Sequence, residues 1–280
     1  MTPAEHAQLA LLLEVAGTPK PGNVDRHRDY PDLRFEHFLA GAVGARAGIE
    51  DAAVAGAPCG PAFETAIEGM SQQSGGNTQF GAILLLVPLV RAATEADRLD
   101  PAAVSAVVDA TTVADAEAFY RAFDHVSVAV PDPPNGAEPL DVRRGSEAIP
   151  TVRERGLTLA DVMELAAPRD GIAREWTEGF GRTFEAAVRL RDGESPVTDR
   201  AARVYLELLA EEPDPFVVTT HGTDRATAVR ERAEGLLDAE RAAVETFADD
   251  LVEAGVNPGT TADLVAGGLF VALELGWVVG

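Results

Sequence analysis

Thr2-Pro3-Ala4-Glu5-His6-Ala7-Gln8-Leu9-Ala10-Leu11-Leu12-Leu13-Glu14-Val15-Ala16-Gly17 reads as a helix with both ends marked. Thr2 and Glu5 stand at capping-box spacing, Pro3 takes the first helical position, and Gly17 supplies a stop. Between them Leu9, Leu12, Leu13 and Ala16 recur at helical spacing. The same pattern repeats along the chain. Residues 34–48 put Phe35, Phe38, Leu39 and Ala42 on one face, and residues 61–72 do so with Phe63, Ala66, Ile67 and Met70. Asn77 is placed to cap a further helix, which Pro88 kinks or ends. Residues 101–123, 159–167, 172–191, 199–211, 223–254 and 260–278 also read helical. Residues 126–130 alternate like a short strand, but Pro131, Pro133, Pro134 and Asn135-Gly136 break it at once. The expected fold is all-α, a single globular bundle of roughly ten helices over residues 1–280 with few or no strands. An irregular excursion at 131–150 serves it as a lid, a surface excursion or a linker.

The 280 residues carry 23 Lys+Arg against 46 Asp+Glu, a formal net charge of −23. That balance argues against nucleic acid and against an anionic membrane surface as partners, since both need a surplus of cations. Disorder is contradicted by 46% hydrophobic residues. One cysteine, Cys59, rules out an intramolecular disulfide framework. Lys20 is the only lysine and the other 22 cations are arginine. Carboxylate surplus, alanine richness and near absence of lysine together suggest a halophilic protein, whose surface charge answers to concentrated salt rather than to partners. Residues 1–17 lack a basic n-region, and the apolar stretches at 82–90 and 264–279 fall short of a membrane span, so a cytoplasmic location is expected.

Three loop-to-helix junctions combine glycine or proline with side chains that handle phosphate or metal. The first is Thr18-Pro19-Lys20-Pro21-Gly22-Asn23-Val24-Asp25. Its prolines stiffen the backbone around Lys20, Gly22 permits close approach of a ligand, Lys20 and Asn23 suit a phosphate, and Asp25 suits Mg²⁺ or a proton. The second, Ser74-Gly75-Gly76-Asn77-Thr78-Gln79-Phe80-Gly81, presents free N–H groups to an anion. The third, Asn257-Pro258-Gly259-Thr260-Thr261-Ala262-Asp263, places Asp263 where it can ligate Mg²⁺ bound to phosphates. Each also reads as ordinary structure: a Pro/Gly turn, an Asn77 cap, a Thr260–Asp263 capping box. Glu64 is the acidic residue set apart from the solvated helix faces, because it borders an apolar stripe, and Glu14 sits similarly a few residues before Lys20. Arg169-Asp170-Gly171-Ile172-Ala173-Arg174-Glu175-Trp176 gathers charge around a helix start and offers arginines to phosphate.

Taken in order, these blocks resemble the triphosphoribosyl-dephospho-CoA synthase family. The resemblance rests on Thr18-Pro19-Lys20-Pro21-Gly22 with Asp25, on Glu64, on Gly76-Asn77-Thr78 with Gly81, and on Asn257-Pro258-Gly259 with Ala262-Asp263-Leu264. Gly171-Ile172-Ala173-Arg174-Glu175 is a weaker echo. It implies an all-α pentosyltransferase that moves the triphosphoribosyl group of ATP to the 2′-hydroxyl of 3′-dephospho-CoA and releases adenine. On that reading Glu64 and Asp25 are catalytic, and Lys20, Gly22, Asn23, Asn77, Thr78, Arg174 and Glu175 bind substrate. Asp25 and Asp263 hold Mg²⁺. A second copy of the chain is a candidate partner. Two departures stand out: Gln79 and Phe80 follow Thr78 where the family continues with histidine and lysine, and its later Asp-Thr-Asn block is not recognisable near residues 217–225. They bear on the acceptor more than on the nucleotide. The alternatives are therefore ribosyl transfer to another cofactor precursor, or a helical nucleotide-binding or scaffold protein without catalysis.

Overall fold

A computed structural model describes residues 1–279. They are all-α, with sixteen α-helices and two short 3₁₀ segments. The first half holds α1 (Pro3–Ala16), α2 (Phe35–Gly44), α3 (Arg46–Ala52), α4 (Cys59–Met70), α5 (Phe80–Glu95), α6 (Pro101–Asp109) and α7 (Val113–His125). The 3₁₀ segments Glu138–Leu140 and Val142–Ala148 lead into α8 (Ile149–Arg155), α9 (Leu159–Ala166), α10 (Gly171–Thr177) and α11 (Gly181–Arg191). The chain continues through α12 (Val197–Glu211), α13 (Pro215–His221), α14 (Thr223–Glu234), α15 (Arg241–Glu253) and α16 (Gly259–Glu274). The capping box of α1 forms as its sequence directs, with Thr2 and Glu5 each bonding the other's backbone.

The count exceeds the expected ten because several long periodic stretches contain breaks. Residues 34–48 divide at Ala45, which ends α2 and opens α3. Residues 101–123 divide where Thr112 and Asp115 form a fresh capping box for α7. Residues 172–191 divide at Phe180, held in the left-handed region at φ 60°. The strand-like run at 126–130 forms no strand; the isolated bridge Asp25–Arg28 is the sole extended pairing among the described residues.

Pro88 neither ends nor stops α5, which runs on to Glu95. Proline removes the N–H that would bond the carbonyl four residues back, and a buried orphan carbonyl is costly. The indole Nε1–H of Trp176 donates to Leu84 O at 3.2 Å and fills that vacancy from α10. α5 and α16 are apolar nearly all round and lie at the centre, α16 packed on α1, α5, α11 and α12. No helix among the described residues is long and apolar enough to cross a membrane.

Candidate active site

Two of the junctions are fastened directly to each other. Gly22 has φ 75°, and a Cβ there would lie 2.2 Å from Val256 O, so only glycine lets the first loop seat against the approach to α16. Its role is packing against chain rather than approach of a ligand. From the same turn Asn23 Nδ2 donates to Asn257 Oδ1 at 2.9 Å, bridging the first junction to the third.

Lys20 is fully buried. Its ammonium donates to Glu14 Oε1 and, at 2.8 Å, to Asn23 Oδ1, and lies 5.9 Å from the Tyr205 ring centroid. Burial pushes the Glu14 carboxyl upward, and the adjacent ammonium opposes the shift. Asp25 is equally buried and its oxygens are taken by its own loop. It accepts from Thr18 Oγ1 at 2.8 Å, Lys20 N at 3.2 Å, His27 N at 2.8 Å and the Arg28 guanidinium at 3.3 Å. Those four donors give Asp25 the part of a loop organiser.

The second junction meets the third at Gly81. A Cβ on Gly81 would lie 2.1 Å from Asp263 Oδ2, so that carboxylate sits directly against the start of α5. Asn77 does cap, accepting from Phe80 N at 3.1 Å. The Thr260–Asp263 capping box does not form: α16 starts without a side-chain cap, and Asp263 turns to the start of α5 instead. Burial is the first cause that pushes Asp263 well above the ordinary carboxylate range, and Glu14 and Asp214 add to it.

These groups line a cavity of about 520 Å³. Glu14, Asn23, Asn77, Thr78, Asn257 and Asp263 form its polar side. Phe38, Phe80, Phe119, Phe123 and Phe216 supply an aromatic side, for which no signal stands in the sequence. Phe80 packs 5.1 Å from Phe63 and 4.8 Å from Phe123, centroid to centroid, so the position where the family resemblance leads one to expect lysine is apolar wall. Residues 127–134 and the first 3₁₀ segment close the cavity, which makes the irregular excursion part of the wall. Buried Thr78 Oγ1 and Gln79 Oε1 have no hydrogen-bond partner among the described residues.

Other expected site residues lie elsewhere. Glu64 is outside the cavity, in a bidentate pair with Arg121 of α7 at 2.7–3.0 Å. Glu175 is buried and caps α11, its Oε2 accepting from Thr183 N at 2.8 Å and Thr183 Oγ1 at 2.7 Å. Arg174 pairs with Glu212 and faces a neighbouring hollow. Lys20, Gly22 and Asp25 form the layer beneath the cavity rather than its lining.

Residues 1–278 match the family described as ATP:dephospho-CoA triphosphoribosyl transferase. The chain belongs to that family. It is a pentosyltransferase of the triphosphoribosyl-dephospho-CoA synthase type, moving the triphosphoribosyl group of ATP to dephospho-CoA. A crystal structure from Archaeoglobus fulgidus, provisionally assigned as a triphosphoribosyl-dephospho-CoA synthase, is similar at TM-score 0.68 and 28% identity. The match covers 86% of this chain and 100% of that one. No curated protein matches the chain. The three junctions that carried the resemblance converge on this one cavity, which they line with polar groups opposite an aromatic wall.

Magnesium can be weighed against these residues. Among the described residues no three His, Cys, Asp or Glu side chains stand close enough to hold a metal by themselves. Mg²⁺ is commonly held by one or two carboxylates together with substrate phosphates and water. Asp263 suits that arrangement, being a cavity carboxylate with no cation beside it and Glu14 adding to its charge burden. Asp25 does not, because its donors already saturate it.

Proposed function

We propose that this cavity brings the C1′ carbon of ATP against the 2′-hydroxyl of 3′-dephospho-CoA, with Asp263 and Glu14 as the working carboxylates. The observation that carries this is the meeting of three junctions, more than 230 residues apart at the extremes, around one cavity. In the reaction the C1′–N bond to adenine breaks and a C1′–O bond to the acceptor forms. The hydroxyl loses a proton and adenine gains one, so the exchange is neutral overall. Positive charge builds on the ribose as adenine leaves, and carboxylates in a low-dielectric wall stabilise it far more than water would.

Glu14 is placed to take the hydroxyl proton. Lys20 beneath it keeps the carboxylate available by opposing the effect of burial. Lys20 and Asn23 thereby act through Glu14 as positioning residues. Asp263 would hold Mg²⁺, which when bound would neutralise triphosphate charge in a cavity whose own lining is acidic. With the Phe80 N–H committed to Asn77, the Gly81 N–H and the side chains of Asn77 and Thr78 are the remaining anion donors. The aromatic wall suits adenine or the apolar arm of the acceptor. Glu64, paired with Arg121 at a distance from these groups, is not needed for proton transfer.

The test is direct. Incubation with ATP, Mg²⁺ and dephospho-CoA should release adenine in step with acceptor consumption, and a panel of other hydroxyl acceptors should release less. ADP or AMP in place of adenine would overturn the reading. Omission of Mg²⁺ should reduce the rate sharply; an unchanged rate in chelator would remove Mg²⁺ from the account.

A further inference from the structure

The cavity has a poor charge for its cargo. Its lining includes Glu14, Asp132, Asp141, Asp170 and Asp263, against Arg169 alone as a cation. A second hollow of about 580 Å³ adjoins it and shares part of its wall, including Val130, Pro131, Asp132, Arg169 and Asp170. This one is lined by Arg143, Arg169 and Arg174. In a chain of net charge −23, three guanidiniums against two carboxylates, Asp132 and Asp170, on one concave surface give a local excess of positive charge, which focuses anions there.

The local structure explains why the arginines face inward. Asp170 caps α10, accepting from Ile172 N and Ala173 N at 2.9 Å each, and so fixes the turn on which Arg169 stands. Arg169 Nη1 donates to the main-chain oxygen of Asp132 at 2.9 Å. Among the described residues it makes no ion pair, so its charge is uncompensated. Arg174 shares Glu212 with Arg182, which also reaches Glu211 at 3.6 Å. Arg143 is held by Asp132 and Asp141. Of the three, Arg169 is the guanidinium that lines both spaces and has charge to spare.

We propose that the second hollow is a polyphosphate subsite, with Arg169 at its junction with the cavity as the residue that recognises the phosphate chain. This deepens the function proposed above and rests on it for the identity of the substrates. The base, ribose and reacting hydroxyl lie in the acidic, aromatic cavity, and a di- or triphosphate runs out past residues 130–132 into the arginine hollow. Guanidinium is the suitable group, since its fork matches phosphate oxygens and its charge does not titrate away. Two substrates carry the required chemistry: the triphosphate of the donor and the diphosphate of the acceptor.

The test uses inorganic tripolyphosphate as the probe. Calorimetric titration would compare the unaltered protein, Arg169→Ala, Arg169→Lys and the control Arg225→Ala, whose site is exposed on α14. Arg169 is exposed and makes one main-chain contact, so its removal leaves the fold intact. Arg169→Ala should weaken tripolyphosphate binding about ten-fold, the loss of a charge-assisted contact. Arg169→Lys should keep part of the binding, and Arg225→Ala should bind tripolyphosphate as the unaltered protein does. In steady-state kinetics, Arg169→Ala should raise KM for one substrate by a similar factor with a smaller change in kcat. Tripolyphosphate competing with ATP assigns the hollow to the donor; competition with dephospho-CoA assigns it to the acceptor. Unchanged tripolyphosphate binding in Arg169→Ala, equal weakening in Arg225→Ala, or competition with neither substrate in an active enzyme would overturn the subsite. Since the titration needs no turnover, Arg169-dependent binding without adenine release would overturn the proposed reaction and leave the subsite standing.

Discussion

Lys20 and Glu64 are both held in ion pairs, and their surroundings differ in almost everything else. Lys20 is wholly enclosed, with Glu14 and Asn23 as partners, under the wall of the cavity. Glu64 sits on α4 facing Arg121, part open to solvent and outside the cavity. Desolvation separates them. A buried charge stripped of its partner has no water to turn to, whereas an exposed one recovers hydration at once. The contrast teaches that a charged residue beside an apolar stripe is informative only when the fold closes over it.

Lys20→Met should give the largest effect. It leaves the Glu14 carboxylate buried without its cation, and should cost about 3–5 kcal/mol in urea denaturation. A loss below about 1 kcal/mol, the value for exposed pairs, would erase the comparison. Next comes Gly81→Ala, whose Cβ would fall on the Asp263 carboxylate. The helix start and Asp263 must part, costing about 1–3 kcal/mol of stability. Adenine release should fall by more than the loss of folded protein accounts for, since the proposed mechanism makes the displaced carboxylate a working group.

Asp263→Asn sharpens the comparison through pH. A carboxyl whose folded-state pKa is raised binds more protons folded than unfolded. Its contribution to stability therefore falls as pH rises from the ordinary value of 3.8 towards the folded value, and the penalty is complete above it. In chelator, the unaltered protein should lose more stability than Asp263→Asn as pH rises above about 4. Parallel pH profiles would show that Asp263 ionises freely in the folded state. Glu64→Gln should do least. It should change stability by less than about 1 kcal/mol and leave adenine release near its original rate.

The elements most readable in the sequence are those with local causes. The capping box at Thr2 and Glu5, the apolar stripes, and the Gly/Pro/Asn junctions all state their conformations within a few residues. The junctions could be recognised singly, and the family resemblance put them in one protein; the contacts that join them, Asn23 to Asn257 and Gly81 to Asp263, are long-range. Glu14 and Glu64 flank apolar stripes alike, and only packing decides that one faces the cavity and the other Arg121. Pro88 gives a correct local signal that tertiary structure overrides through Trp176. The helix count fell short because breaks at Ala45 and Phe180 leave the periodicity on either side intact. The cavity wall at 127–134 is irregular backbone, and the short alternation at 126–130 is a misleading signal there because the prolines that follow it leave no strand to form.

The measurement closest to the central claim is adenine release from ATP in the presence of Mg²⁺ and dephospho-CoA, made side by side on the unaltered protein, Asp263→Asn and Glu64→Gln. The expected result is adenine from the unaltered protein and from Glu64→Gln at similar rates, with release by folded Asp263→Asn reduced about a hundred-fold or more, the scale of a lost working electrostatic group. Full activity in Asp263→Asn, or its loss in a well-folded Glu64→Gln, would contradict the placement of the reaction at the meeting of the three junctions.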